Sequence, residues 1–187
     1  GWNRGWDVFR DFMEFPVSDK IPYVTGNLIN KEVQSWLTSH VKDRHYKPFF
    51  LWVHYMDVHE PYMPRKEYLH RVHEGADLSD DVMFQLFKKV LLKRDIYDKS
   101  RVETLKMLYE CRVREVNDHI AEFFATLKSL DLLEDTTVII TSDHGDEFGE
   151  HGGLSHDGKM YQELVLVPLL IYDCRSRKGL NCDVPVS

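Results

Sequence analysis

Only three cysteines, Cys111, Cys174 and Cys182, occur in the 187 residues. The odd count and the want of any Cys-x-x-Cys spacing exclude a disulfide framework and a cysteine-ligated zinc module. Cys174 and Cys182 are near enough in sequence to pair across a short loop in an oxidising compartment, with the reduced state as the alternative. No apolar run approaches the roughly 20 residues of a membrane-spanning helix, so no membrane segment is expected in this chain. Lysine and arginine form no cluster and the net charge is -7, which excludes the electrostatic footprint of a nucleic-acid binder. An anionic ligand would therefore have to be captured by local positive charge. There is no internal repeat and no low-complexity tract. A hydrophobic content of 43% can fill the core of one compact domain, and residues 1–187 are read as a single unit.

Periodicity supplies the coarse plan. From 100 to 130, Val102, Leu105, Tyr109, Val113, Val116, Ile120, Phe123 and Leu127 recur at steps of three and four, one face of a long helix laid over a sheet. Residues 31–41 read as an earlier helix with Asn30 as its N-cap. Two apolar strands are expected at 49–53 and 138–141, and a third at 167–172. The stretch 62–99 is charged and breaks helical periodicity, and reads as a surface excursion with one or two short helices.

The chemistry concentrates after the second strand. Val138, Ile139 and Ile140 are β-branched and uninterrupted, as in an internal parallel strand covered on both faces. The strand delivers Asp143 and His144 into a loop where Gly145 and Gly149 permit tight turns, and four further charged or imidazole side chains follow within seven residues. A hard oxygen beside an imidazole nitrogen suits a divalent cation. The carboxyl end of such a strand is where open α/β sheets bind ligands.

Four segments in order carry a resemblance. They are Thr141-Ser142-Asp143-His144-Gly145, Gly149-Glu150-His151-Gly152, Gly158-Lys159, and Val167-Pro168-Leu169-Leu170-Ile171. Upstream, the apolar stretch 48–54 runs into Asp57-Val58-His59-Glu60-Pro61-Tyr62. Together they resemble the sulfatase family of the alkaline-phosphatase superfamily. Arg4-Gly5-Trp6-Asp7 and the helix segment 114–120 are looser matches. The resemblance implies a three-layer α/β/α core with a mostly parallel sheet, here incomplete, with 49–53 and 138–141 as neighbouring parallel strands. It also implies hydrolysis of sulfate esters by a formylglycine nucleophile, carried on a Cys-x-Pro-x-Arg or Ser-x-Pro-x-Arg segment. No cysteine here fits that pattern. The nucleophile is thus expected upstream of this chain, and the isolated chain is expected to be inactive.

By motif position, Asp143 and His144 correspond to metal ligands, with Ca2+ the family norm and Mn2+ or Zn2+ as alternatives that suit the imidazole. Lys159 corresponds to a residue that binds the sulfate and neutralises charge in the transition state. His59 corresponds to the acid that protonates the departing alcohol, a task to which histidine is suited. His156 is read evenly as a substrate-binding residue or a polar loop residue, and His151 as a loop residue. His54 is expected near the core, Asp57 to anchor its own turn, and Glu147 and Glu150 to lie on the solvated rim. Two other readings stand beside sulfate ester hydrolysis. One is a metal-dependent phosphatase, phosphodiesterase or phosphonate hydrolase of the same superfamily, and the other a non-catalytic sulfatase-like module. Self-association through an exposed sheet edge is a further expectation.

Overall fold

A 31-residue helix organises the molecule: α4, Lys99–Ser129, against which the three α-helices that precede it pack. The computed structural model describes residues 3–12, 18–42, 47–92, 98–156 and 158–176. Before α4 come α1 (Gly26–His40), α2 (Lys66–Val72) and α3 (Asp80–Phe87), the last running into a π-helical turn, Lys88–Leu92. After it come β1 (Thr137–Thr141), the short hairpin β2 (Glu147–Phe148) and β3 (Leu154–Ser155), the one-turn α5 (Gln162–Val165), and β4 (Leu169–Asp173).

The long helix is where periodicity placed it, with Asp98 accepting a hydrogen bond from the Arg101 amide as its N-cap. Its N-terminal half packs into a core with Tyr62, Leu69, Met83 and Val90. The stretch 62–99 is therefore not a surface excursion; its described helices supply one wall of the larger core. The C-terminal half of α4 closes a smaller core, in which Leu37, Leu127 and Leu132 meet Phe49 and Val138.

The helix α1 begins five residues before the expected start. Its first amide, that of Gly26, donates to both carboxylate oxygens of Asp57 at 3.0 and 2.9 Å, so the cap is supplied from another loop. A buried carboxylate at a helix N-terminus satisfies an orphan donor and complements the dipole. Gly26 is dictated by packing, since a Cβ there would stand 2.5 Å from the His119 ring. Asn30 lies inside the helix. Its amide donates to the His119 carbonyl and its oxygen accepts from Tyr55.

The strands differ from expectation in pairing. β1 pairs with β4 antiparallel, Thr137 opposite Asp173 and Thr141 opposite Leu169. The connection holds only a hairpin and one helical turn rather than a full crossover helix, so the chain returns alongside itself. Residues 49–53 join no ladder among the described residues. The three-layer parallel arrangement is thus not seen among them. Nor is β1 covered on both faces: Val138 and Ile140 are half-buried, whereas Ile139 is 62% exposed. Phe50, Trp52 and Ile171 are also exposed, giving these segments bare apolar faces.

Cys111 is a free thiol inside the larger core, pushed up to about 11 by burial and by the charges of Glu110 and Glu115. A buried thiol so shifted is no nucleophile. Cys174 is also free, and its suggested partner Cys182 lies outside the described residues.

Candidate active site

The site is assembled from two loops. One follows residues 49–53 and carries His59, and the other follows β1 and carries Asp143, His144 and the β2–β3 hairpin.

A buried ionic network fixes the first loop. Asp57, Arg112, Glu115 and His119 are all essentially inaccessible. The Arg112 Nε donates to the Asp57 carbonyl, its other nitrogens reach Glu115 Oε2 at 2.6 Å and Asp57 Oδ1 at 3.4 Å, and Arg65 Nε donates to Glu115 Oε1 at 2.7 Å. Burial raises the Asp57 carboxyl, while the Gly26 amide and the charges of Arg112 and His119 pull it back. Neither His119 ring nitrogen has a hydrogen bond among the described residues, and its Nε2 lies 3.6 Å from Asp57 Oδ1. Asp57 therefore anchors far more than its own turn: it joins α1 to α4. Two residues on, the Tyr23 hydroxyl donates to the carbonyls of His59 and Pro61 at 2.6 and 3.1 Å. Burial pushes Tyr23 up to about 12, so it remains a donor.

His59 places its Nδ1 2.8 Å from the Glu60 carbonyl. A carbonyl only accepts, so Nδ1 carries a proton and Nε2 is the nitrogen left for acid–base work. The ring meets that of His156 edge-on, centroids 5.4 Å apart, and His156 stacks on His144 at 4.0 Å. Three imidazoles from two loops thus form one contiguous row.

The second loop is held by local bonds. Ser142 Oγ donates to the His144 carbonyl, the His144 amide to Asp143 Oδ1, and the Gly145 amide to the Leu164 carbonyl. A Cβ at Gly145 would overlap the Glu163 carbonyl oxygen, which explains the glycine. Asp143 is mostly exposed; partial burial raises its carboxyl, but backbone amides and the imidazoles of His144 and His54 outweigh this and leave it below the usual carboxylate range. His54 is exposed rather than near the core.

Lys159 is anchored on the hairpin, its Nζ 2.7 Å from Glu147 Oε2. Glu147 is fully buried instead of on the rim, because its Oε1 accepts from the amides of His151 and Gly153. Burial alone would raise this carboxyl, but Lys159 and the two amides outweigh it and lower it. Glu150 is exposed as expected. His151 pairs with Glu163 at 3.0 Å and stacks on Tyr161, a loop role.

Sequence reasoning did not single out Asp146, Glu60 or Tyr62. Asp146 Oδ1 lies 3.0 Å from His156 Nδ1, and its Oδ2 accepts from the Tyr62 hydroxyl at 2.6 Å. Glu60 accepts from Ser155 Oγ at 2.7 Å. The visible signal was the position of Asp146 two residues after His144; nothing in the sequence marked its partners.

Comparison with known proteins places the chain in a family. The sulfatase family model matches residues 5–179. The chain is 27% identical over 150 residues to an arylsulfatase of Clostridium perfringens, covering 73% of this chain and 31% of that protein. It is 25% identical over 158 residues to the multifunctional alkaline phosphatase superfamily protein PehA of Trinickia caryophylli, covering 72% and 30%. It is 24% identical over 150 residues to a choline-sulfatase of Rhizobium meliloti, covering 74% and 29%. The chain thus spans under a third of the length of these curated relatives. Family membership implies an alkaline-phosphatase-like α/β fold, of which the described residues display the helices and small antiparallel sheets. With its model matched over nearly all of these residues, the chain belongs to the sulfatase family.

Proposed function

We propose that this chain furnishes the leaving-group side of a sulfuric ester hydrolase site. The observation that carries the reading is the convergence of His59 with His144 and His156 in a chain of this family. In it, His59 Nε2 protonates the departing alcohol oxygen. Lys159 supplies a compact positive charge for the sulfate oxygens, and the Glu147 pair holds it in place. The nucleophile, a formylglycine, belongs to a segment outside these 187 residues, so this polypeptide alone is inactive in the proposal.

A divalent cation fits the same reading. Among the described residues His144 Nε2 makes no hydrogen bond, and Asp143 turns Oδ1 to the His144 amide, so both keep a donor atom for an ion. Bound there, a cation would supply positive charge opposite the ester's oxygens. Two donors fall short of the about six to eight oxygens that calcium takes, so further ligands would come from outside this chain. The test compares an aryl sulfate with an aryl phosphate and a phosphonate monoester as substrates of the full-length protein. Preferred turnover of the sulfate is expected. Preferred turnover of either phosphorus ester would instead favour the second reading, a phosphatase or phosphonate hydrolase, to which the likeness to PehA lends support.

The bare apolar faces suit a second copy of this chain as partner. Phe50 and Trp52 are 76% and 66% exposed on a segment without ladder bonds among the described residues, and Ile139 is exposed on β1. Such a surface invites pairing. Sedimentation of the 187-residue chain should show concentration-dependent association, weakened by Trp52→Ser with Ile139→Thr. A monomer at every concentration would refute it.

A further inference from the structure

The row of imidazoles includes a donor set of which the sulfate-ester reading employs only His144 as a ligand. One donor atom each from His144, Asp146 and His156 lies within 4.8 Å of the others, and all three residues are partly buried, with the Asp146 side chain nearly inaccessible. We propose that these three residues form a site for a divalent cation of the zinc class, built wholly within this chain, which shares His144 with the Asp143–His144 pair but takes Asp146 and His156 in place of Asp143.

Each donor is prepared by a neighbour. His144 Nδ1 is 2.9 Å from the Gly145 carbonyl, which fixes the proton on that nitrogen and leaves Nε2 with its lone pair. Metal-bound histidines characteristically donate their other ring nitrogen to such an acceptor. Asp146 is oriented in the same manner. Tyr62 donates to its Oδ2, and Tyr62 is itself immobilised in the core against Tyr109 and Phe148, centroids 5.3 and 5.9 Å away. Oδ1 is thereby directed at His156 Nδ1. Tyr62 is raised far above the ordinary tyrosine value, by burial first and by the Asp146 charge, so it stays a donor.

His156 Nδ1 also lies 3.1 Å from Ser155 Oγ, whose proton is committed to Glu60. The hydrogen on Nδ1 therefore points at Asp146, and it is this single proton that a cation would replace. In the neutral ring that hydrogen passes through solvent to Nε2, so the Nδ1–H bond breaks as the Nε2–H and metal–Nδ1 bonds form, with no net release of a proton. Two nitrogens and one oxygen suit zinc or cobalt, whereas calcium requires more oxygen donors. Three protein ligands would leave a fourth position of a tetrahedral ion for water or a ligand.

The test measures binding and not turnover, so its failure leaves the sulfate-ester reading standing, and failure of that reading leaves this one standing. The full-length protein, stripped with chelator and supplied with excess Ca2+ to fill any oxygen-rich site, is titrated with Co2+ while visible absorption is followed. One equivalent with a ligand-field band is expected, lost in His156→Gln and Asp146→Asn and retained in Asp143→Asn. Tyr62→Phe should weaken binding about 10- to 100-fold. In the unsubstituted protein, Zn2+ should move the ring resonances of His144 and His156 and leave those of His70 in place. Unmoved resonances with equimolar Zn2+ would overturn the proposal whatever the variants do. So would a cobalt band lost in Asp143→Asn and kept in His156→Gln, the signature of the neighbouring pair alone.

Discussion

Arg112→Ala is expected to destabilise the protein by about 3–5 kcal/mol, because it strands two buried carboxylates rather than merely deleting a side chain. Arg112 reaches Glu115 Oε2, Asp57 Oδ1 and the Asp57 carbonyl at once, and all three residues are essentially inaccessible. Against the about 5–15 kcal/mol that holds a typical domain together, that loss brings the fold close to its threshold. Arg112→Lys should recover only part of it, since an ammonium cannot serve three acceptors spread over a fork. Urea unfolding followed by near-ultraviolet circular dichroism would give the difference. Removing the exposed Lys20–Asp81 pair, with Asp81→Ala, should leave the midpoint where it was. A loss from Arg112→Ala no larger than that control would mean the network does not hold the His59 loop.

That network marks the boundary of what the sequence could disclose. The long helix was legible because Val102 and Leu105 begin a regular apolar pattern, and both are buried. The same pattern continues through Val113, which is 42% exposed. The stripe that faces inward in mid-helix is Leu105, Leu108, Arg112, Glu115 and His119, again at steps of three and four but with polar side chains in three of five places. Hydrophobic periodicity cannot register a buried ion pair, whose partners lie about fifty residues away in sequence. Asp57 was misjudged for the same reason. Its carboxylate caps a helix that begins at Gly26, and no local motif links the two. The site loop was more legible, because the strand, the glycines and the acid–imidazole pair are contiguous. Even there the pairing of β1 with β4 and the interior position of Glu147 rest on contacts made after the chain has folded back.

In the full-length protein, His59→Ala is expected to lower kcat for a sulfate ester about 10²- to 10⁴-fold, the span usual for loss of a positioned general acid. The loss should depend on the alcohol. A nitrophenolate departs readily without a proton, whereas an alkyl alkoxide does not, so the deficit should be small for nitrophenyl sulfate and large for an alkyl sulfate. That graded response separates proton donation from mere packing, which would damage both substrates alike. His59→Gln is the control for shape, since a neutral amide fills similar space beside Tyr23 and His156 but delivers no proton. Lys159→Ala should act differently, slowing both substrates alike, because charge on the sulfate oxygens is present whatever alcohol leaves. Its effect should be reproduced in part by Gly153→Ala, in which the new methyl group would overlap Lys159 Nζ and drive it off Glu147. Equal losses for the nitrophenyl and alkyl esters in His59→Ala would remove His59 from the role of acid.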